Sequence, residues 1–398
     1  MPATPHPPVP PPGGLRGHHA VVVNWRDLGH SLAGGSERYA WEFARALAEA
    51  GARVEFVTAR ERGQARREVC DGIRVQRGGG AFTFYLHAAL ALLRRRRTLS
   101  VVIDPECGIP AFSPLFVRRD TVVVMPVHHV HQEQFATYFP APLAAVGQWL
   151  ERVLMPRVYR RRRTLAVSES TRAEMVRQLG WRGEIDILAN GAQVPDPALV
   201  SARDKDPDRV VVLGRLVPHK RVDLVLRVVR ELAIERPGLH LDVCGKGPDL
   251  ERLIGLAHEL GIADRVRFHG FVAEETKREV LRRAALHVCA SDIEGWGQVV
   301  IEAAGWGVPT VARDVPGLRD SIRDGHTGWL VPDEPDLDLV AARLADRVRS
   351  ALKGLEQPEE RAVTIRECQE WAGRFSWTRM HREALAVVHQ ELRRVGRG

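Results

Sequence analysis

The sequence predicts an α/β protein made of two consecutive domains, each a parallel sheet covered by helices. Three observations predict it. Short apolar runs alternate with amphipathic helical segments, the pattern of a parallel sheet with crossover helices. The alternation breaks at a polar, proline-rich stretch, residues 192–208 (AQVPDPALVSARDKDPD), and then restarts. A chain of 398 residues is long enough for two hydrophobic cores, and its 44% apolar content is ordinary for a globular protein.

The first half opens with a strand signal at 18–25 (HHAVVVNW). A loop with Gly34, Gly35 and Ser36 follows, then a helix over 37–50. Tyr39, Phe43, Ala46, Leu47 and Ala50 share one face of that helix, and Gly51 stops it. Residues 52–60, 100–106 and 120–128 read as further strands. A strand at 164–170 leads through Ser168 and Ser170, both able to cap, into a helix over 171–179. EIDILANG, 184–191, closes this half.

The second half repeats the pattern. Strands are expected at 209–216, 240–247, 265–272, 286–291 and 309–314. Helices are expected at 221–235, 250–260, 274–284 and 298–304. The tail 371–394 reads as a final helix. Two Rossmann-like domains are therefore expected, 18–193 and 194–370, after a disordered proline-rich arm over 1–17. The segment 371–398 is expected to return toward the first domain. Such sheets bind ligands outside the carboxyl ends of their strands, and two such domains imply a cleft between them.

Composition excludes several classes. Five scattered cysteines without a CxxC fit a reducing compartment and no disulfide framework. No apolar run reaches the roughly 20 residues that span a bilayer, and the N-terminus lacks a signal pattern. A cytoplasmic protein is expected. The net charge of +8 is uneven: residues 1–195 hold 26 arginines, no lysine and 17 carboxylates, or +9. The excess gathers at Arg94–Arg97 and Arg160–Arg163, each after an apolar helical run. Such ends suit either an anionic membrane surface or a solvated helix terminus. Aromatic residues do not interleave with them, which argues against nucleic acid.

The most informative stretch is 291–307, SDIEGWGQVVIEAAGWG. Glu294 and Glu302 flank a Gly295-Trp296-Gly297 loop, and a helix opens at Gln298. A helix start after a glycine loop offers free amides and positive dipole to a phosphate. The two acids sit too far apart to share a proton. They fit hydroxyls at two ends of a ligand with phosphate in its middle, which is the shape of a sugar nucleotide. Glu302 lies among apolar residues, where a carboxylate needs a partner or a ligand. The plain alternative is two solvated helix-face acids.

Three further strand ends supply candidates. Gly214, Arg215 and Lys220 follow the first strand of the second half, and an Arg with a Lys can clamp a diphosphate. Alternatively Lys220 only opens a solvated helix. Gly245-Lys246-Gly247-Pro248 permits backbone approach to a ligand, or is a plain turn. Gly270-Phe271-Val272 offers backbone groups, with the Phe271 ring expected in the core. In the first half, Gly34-Gly35-Ser36 matches neither dinucleotide nor P-loop patterns. His128, His129 and His131 end a strand, but no acidic residue has metal-site spacing with them. A substrate-contacting or proton-handling histidine is expected there, and no metal.

These residues resemble the retaining glycosyltransferases of family 4, which have the GT-B fold. The resemblance rests on GRLVPHKRVD (214–223), CGKGP (244–248), FHGFV (268–272) and the run 289–331. GGSERYAWEFARALAEAG, VSESTRAEMV and ILANG extend it into the first half. It implies a nucleotide-diphosphate sugar as donor substrate and no separate cofactor. Arg215 and Lys220 would hold the diphosphate, Glu302 the ribose hydroxyls, and Glu294 would face the transferred sugar. The amides of Gly297, Gln298 and Val299 would meet sugar and phosphate. His128 would be the strand-end histidine, and Gly35, Gly245 and Val272 would complete the donor contacts. Trp296 stands where many members have Phe, an exchange expected to be tolerated. The acceptor would be a sugar, a lipid-linked sugar or a small molecule, with peripheral contact to an anionic membrane. Arginine-rich, lysine-poor usage fits a bacterial source. Two rivals stay open: a sugar-nucleotide epimerase of similar fold, and a non-catalytic sugar-nucleotide-binding protein.

Overall fold

The computed structural model describes residues 14–397, and the chain divides into two compact units. One is 1–191 with 377–398, the other 192–376. Most of the arm expected over 1–17 lies outside the described residues. Its last part is corrected: Leu15 is buried, and its amide donates to Ala50 O at 2.9 Å.

The first unit begins with β1 (His19–Val23), α1 (Gly35–Glu49) and β2 (Arg53–Thr58). A hairpin follows, β3 (Arg67–Cys70) and β4 (Ile73–Arg77), which the sequence reading missed. Its signal was present: Asp71-Gly72 takes positive φ at both residues, as a tight hairpin turn requires. Next come α2 (Phe84–Arg95), β5 (Val101–Ile103), β6 (Val122–Val127), α3 (Gln132–Tyr138) and α4 (Ala141–Trp149). A π turn over Leu150–Leu154 joins α4 to α5 (Met155–Tyr159). β7 (Arg163–Ala166), α6 (Glu169–Leu179) and β8 (Ile185–Ile187) complete this half. The sheet order is β3-β4-β2-β1-β5-β6-β7-β8, parallel except for β3. Val21, Val102 and Met125 from its central strands pack with Leu92 and Met175 of α2 and α6 in the core.

The second unit contains β9 (Asp206–Leu213), α7 (Val222–Leu232), β10 (His240–Cys244), α8 (Leu250–Glu259), β11 (Val266–Gly270) and α9 (Glu274–Arg283). It continues with β12 (Ala284–Cys289), α10 (Gln298–Gly305), β13 (Thr310–Arg313), α11 (Leu318–Ser321) and β14 (Gly328–Val331). Two helices not expected from the sequence, α12 (Leu337–Leu355) and α13 (Pro358–Ala372), finish it. The parallel sheet runs β11-β10-β9-β12-β13-β14. The last helix, α14 (Trp377–Arg394), belongs to the first unit, where His381 Nε2 meets Glu42 Oε2 of α1 at 2.8 Å.

The boundaries therefore fall at 191/192 and 376/377 rather than 193/194 and 370/371. The stretch expected as a linker is built into the second unit. Ala192 N donates to Phe375 O at 2.7 Å, and Lys205 is buried with its ammonium on Leu281 O and Trp306 O.

In both sheets the chain reverses direction of growth at one point. It does so between β1 and β5 in the first unit, and between β9 and β12 in the second. Ligands of open α/β sheets bind at the carboxyl ends of strands flanking such a reversal.

Candidate donor site and the histidine cluster

In the second unit the reversal point brings together the loop after β9 and the loop after β12. The β9 loop runs through Gly214 and exposed Arg215 to a short 3-10 turn, Pro218–Lys220. Arg215 makes no ion pair among the described residues. Lys220 Nζ pairs with Glu294 Oε1 from the β12 loop, and Ser291 Oγ donates to the same oxygen at 3.2 Å. Asp292 N donates to His219 O at 2.8 Å and stitches the two loops together. The sequence placed Lys220 and Glu294 separately; the structure makes them a half-buried pair.

The β12 loop is held from below by Arg313, which the sequence reading did not single out. It is buried, donates to Ala290 O at 3.2 Å and pairs with Asp292 and Asp333. Trp296 is buried edge-on to Phe375, ring centroids 4.8 Å apart. Gly297 starts α10 at φ +74°, and a Cβ there would sit 2.8 Å from Ser321 Oγ. Glycine is thus required for the turn that opens α10, whose first amides are those of Gln298 and Val299. By helix geometry those amides have no partner within the helix.

Glu302 lies in α10, one turn beyond Gln298, and its side chain is 18% exposed. Its partner is Lys277 of α9, Nζ to Oε2 at 3.2 Å, with Gln298 Nε2 on Oε1 at 3.4 Å. Burial works against the charge of Lys277, but Glu302 and Glu274 outweigh it and raise its pKa. Glu302 and Lys277 line a cavity of about 240 Å³ with Gln193, Val194, Pro195 and Trp306.

A Cβ on Gly245 would lie 1.7 Å from Gly214 O, so the packing of the two loops by itself requires glycine here. Hydrogen bonds from Gly214 N to Cys244 O and from Leu216 N to Lys246 O fasten the same two loops. Phe271 is not in the core: it is 78% exposed, with Lys246 Nζ 5.0 Å from its ring centre. Its neighbour Val272 packs against the cluster of Val211, Leu281 and Ala303.

The chain also contains Asp-x-Asp triplets, at 204–206, 206–208 and 336–338. All lie away from these loops. Asp204 pairs with Arg282, Asp208 with Arg236 and Asp338 with Arg227, while Asp336 caps α12.

In the first unit, Gly35 is the first residue of α1, next to Gly34. The start of this helix is occupied internally. Glu37 accepts from Gly34 N at 2.7 Å and from Arg26 Nε at 2.8 Å. His128 follows β6 and is buried edge-on to Tyr39, 5.0 Å between ring centres. Its Nε2 has no hydrogen bond. Burial pushes its pKa down to about 4, against the pull of Glu37, so it is neutral at pH 7.

His129 meets Gln134 at 3.1 Å. His131 behaves in the opposite way to His128. Burial disfavours its charge, but Glu106 and Glu151 reverse this and raise its pKa to about 10. No acidic residue has metal-site spacing with these histidines in sequence, yet two carboxylates meet His131 in space. Both partners lie 20 or more residues away in sequence, where spacing rules cannot see them.

Comparison with known proteins now decides the family. The family model "Glycosyltransferase Family 4" matches residues 33–194, and "Glycosyl transferases group 1" matches 199–367. The chain belongs to glycosyltransferase family 4. It is 34% identical over 209 residues to a GDP-mannose-dependent alpha-(1-6)-phosphatidylinositol monomannoside mannosyltransferase of Mycolicibacterium smegmatis. That match spans 48% of this chain and 54% of the relative. A D-inositol 3-phosphate glycosyltransferase of Gordonia bronchialis is 32% identical over 54% of this chain and 49% of its own length. The chain thus matches about half the length of these relatives.

Solved structures show the GT-B fold. Sucrose-phosphate synthase of Thermosynechococcus elongatus has a TM-score of 0.74 at 20% identity, covering 95% of this chain and 98% of its own. HepE of Anabaena, solved with UDP and glucose, has a TM-score of 0.70 at 17% identity, covering 94% and 100%.

Proposed function

We propose that this family 4 member transfers a hexosyl group from a nucleotide-diphosphate sugar to a hydroxyl of a sugar or lipid-linked acceptor, with retention at the anomeric carbon. The observation that carries this reading is the convergence at the β9/β12 reversal point. Free Arg215, the Lys220–Glu294 pair and the amide-bearing start of α10 meet there.

In this reading Arg215, Lys220 and the α10 amides stabilise the charge that develops on the departing diphosphate. Such fixed charges need no reorganisation during reaction. They also supply what a divalent ion would otherwise supply at the phosphates. Glu302, beside the cavity, takes the ribose hydroxyls, and the exposed Phe271 ring offers a stacking face for the base. Glu294 shifts its hydrogen bonds from Lys220 toward sugar hydroxyls when the donor arrives. His128, neutral with a free Nε2, accepts a hydrogen bond from a sugar or acceptor hydroxyl. The names of the matched relatives favour transfer over donor-only epimerisation, and one of them makes GDP-mannose the first donor to test. We place the enzyme in the cytoplasm, at the inner face of an anionic membrane. No described helix is long and apolar enough to cross one.

The test is a thermal-shift and calorimetry panel of GDP, UDP, dTDP and ADP and their sugars. A ligand at 100 times its Kd raises stability by about 2.7 kcal/mol. One nucleotide should stand out, with affinity unchanged by EDTA or Mg²⁺. The anomeric configuration of the product, read by NMR, should match that of the donor. No binding by any nucleotide, or affinity that needs a divalent ion, would overturn the donor assignment.

A further inference from the structure

The first unit holds two buried carboxylates beside the histidines that sugar transfer does not employ. Glu106 follows β5 and is fully buried. Glu151 is fully buried in the π turn over Leu150–Leu154, a local widening of a helix that is frequent at functional sites. His131, just before α3, stands between them. Its Nδ1 is 3.0 Å from Glu106 Oε1 and 3.5 Å from Glu151 Oε1. One ligand atom from each of the three residues lies within 4.8 Å of the others.

The hydrogen bonding of the group is uneven. Glu151 is held in place: its oxygens accept from His131 N at 2.6 Å and Gln132 Nε2 at 2.5 Å. Glu106 is not. Its carboxylate oxygens, both buried, have no well-aligned hydrogen bond, and its contact is the ion pair with His131 Nδ1 at 3.0 Å. Buried polar atoms in native proteins are satisfied by a partner, a water or an ion. One imidazolium offsets only one of two buried negative charges. A dipositive ion offsets both and leaves a neutral imidazole free to coordinate.

We propose that Glu106, His131 and Glu151 form a binding site for a divalent first-row transition-metal ion of the Zn²⁺ type. Nδ1 of His131 and one oxygen from each glutamate would be the ligands. An imidazole with two carboxylates suits Zn²⁺ or Mn²⁺ and does not suit Mg²⁺ or Ca²⁺, which prefer oxygen ligands throughout. Ligand atoms around tetrahedral zinc stand about 3.3 Å apart, given bonds near 2.0–2.2 Å. Small side-chain rotations would close the group to that size. The ion would tie the ends of β5 and β6 to the π turn and so fix the segment that carries His128. This inference does not rest on the diphosphate assignment, since Arg215, Lys220, Glu294 and Glu302 all lie in the second unit.

The test is metal uptake by the tag-free, chelator-stripped chain. Calorimetry with Zn²⁺ alone should show one equivalent bound at micromolar affinity or better, and Mg²⁺ alone should show none. Co²⁺ should bind in its place with the visible absorption of a low-symmetry nitrogen–oxygen site. Glu106→Gln, His131→Gln and Glu151→Gln should each weaken Zn²⁺ binding at least about tenfold. Nucleoside diphosphate affinity, read on the same samples, should not change, and circular-dichroism melts report that each variant is folded. Should a variant fail to fold, the wild-type titrations with Zn²⁺ and Co²⁺ decide alone. No uptake by the wild type overturns the proposal, and so does equal uptake by the wild type and all three variants.

Discussion

Lys220 and Glu294 hold each other in the ligand-free chain, so neither can be removed without changing the other. Lys220→Ala should lower kcat/KM by roughly a hundredfold or more, as expected for loss of a preorganised charge partner. Glu294→Ala should spare nucleoside diphosphate affinity and damage turnover of the full donor. The double variant should lose less than the sum of the two, because contacting residues couple by about 0.5–3 kcal/mol. Strict additivity would show that the pair is incidental. His128 gives a second residue-scale prediction. Its folded pKa, about 4, lies below the ordinary value of 6.5. The neutral form is the one that fits, so its contribution is fully present above about pH 6.5. It is lost as the pH falls toward 4, by up to about 3 kcal/mol at 1.36 kcal/mol per unit. Urea melts of the wild type and His128→Gln should therefore differ in pH dependence between 6.5 and 4; parallel curves would overturn this. At this scale the sequence showed which charged residues lie at strand ends and little of what they touch. Lys277 is 25 residues from Glu302, and Glu106 is 25 from His131, so their pairing depends on the sheet order. Phe271 was misread because an aromatic between Gly270 and Val272 looks like a continuing strand, yet β11 ends at Gly270.

At the scale of elements, α9 and α10 end on one buried cation. Lys205 donates to Leu281 O in the last turn of α9 and to Trp306 O at the end of α10, at 2.9 and 2.8 Å. Helix ends leave carbonyls without partners and carry partial negative charge, so a buried ammonium serves two ends at once. Burial is costly to it and brings its pKa down to about 7. Lys205→Met keeps most of the side-chain volume but strands both carbonyls. It should destabilise the chain by about 1–3 kcal/mol, read as a shift in the urea midpoint with unchanged slope. A neutral or stabilising outcome would mean that the cost of burying the lysine exceeds the worth of its bonds. Gly297→Ala acts on the other end of α10. It combines positive φ with a 2.8 Å approach to Ser321 Oγ, and should weaken nucleotide binding more than it lowers Tm. The central apolar strands, with their period and length, were legible because β1, β5, β6, β12 and β13 are buried on both faces. α12 and α13 were not, since they follow the last strand and no alternation frames them. The Asp71-Gly72 hairpin carried its signal openly, but β3 is exposed along most of its length and lacks an apolar pattern.

At the scale of the molecule, charge separates by unit. The first unit holds 31 arginines against 19 carboxylates, or +12, and the second holds 27 basic residues against 31 acidic, or −4. The two arginine runs are unequal. Arg163 pairs with Asp186, and Arg162 donates to Thr121 O at 3.0 Å, so half of Arg160–Arg163 is structural. In the other run Arg95 turns inward to Glu55 at 2.7 Å, while Arg94, Arg96 and Arg97 are exposed. They continue a stripe of exposed apolar side chains along α2 and its lead-in: Phe82, Leu86, Leu90 and Leu93, of which Phe82 is 68% and Leu86 65% exposed. A helix with an uncovered apolar stripe and a basic end has the make-up of an interfacial helix. Each basic residue contributes about 1 kcal/mol near an anionic surface, so three contribute about 3 kcal/mol, or roughly a hundredfold in partition. Arg94, Arg96 and Arg97 changed together to Gln, with Arg95 left in place, should lower binding to phosphatidylserine-containing vesicles by about that factor. Leu86→Ser with Leu90→Ser should lower it further and should do so even at high salt, where the arginine contribution is screened. Nucleotide affinity should be the same in all of them. A wild type that stays in the supernatant with anionic vesicles at low salt would remove the membrane from the proposed function. A soluble sugar or small-molecule acceptor would then take its place.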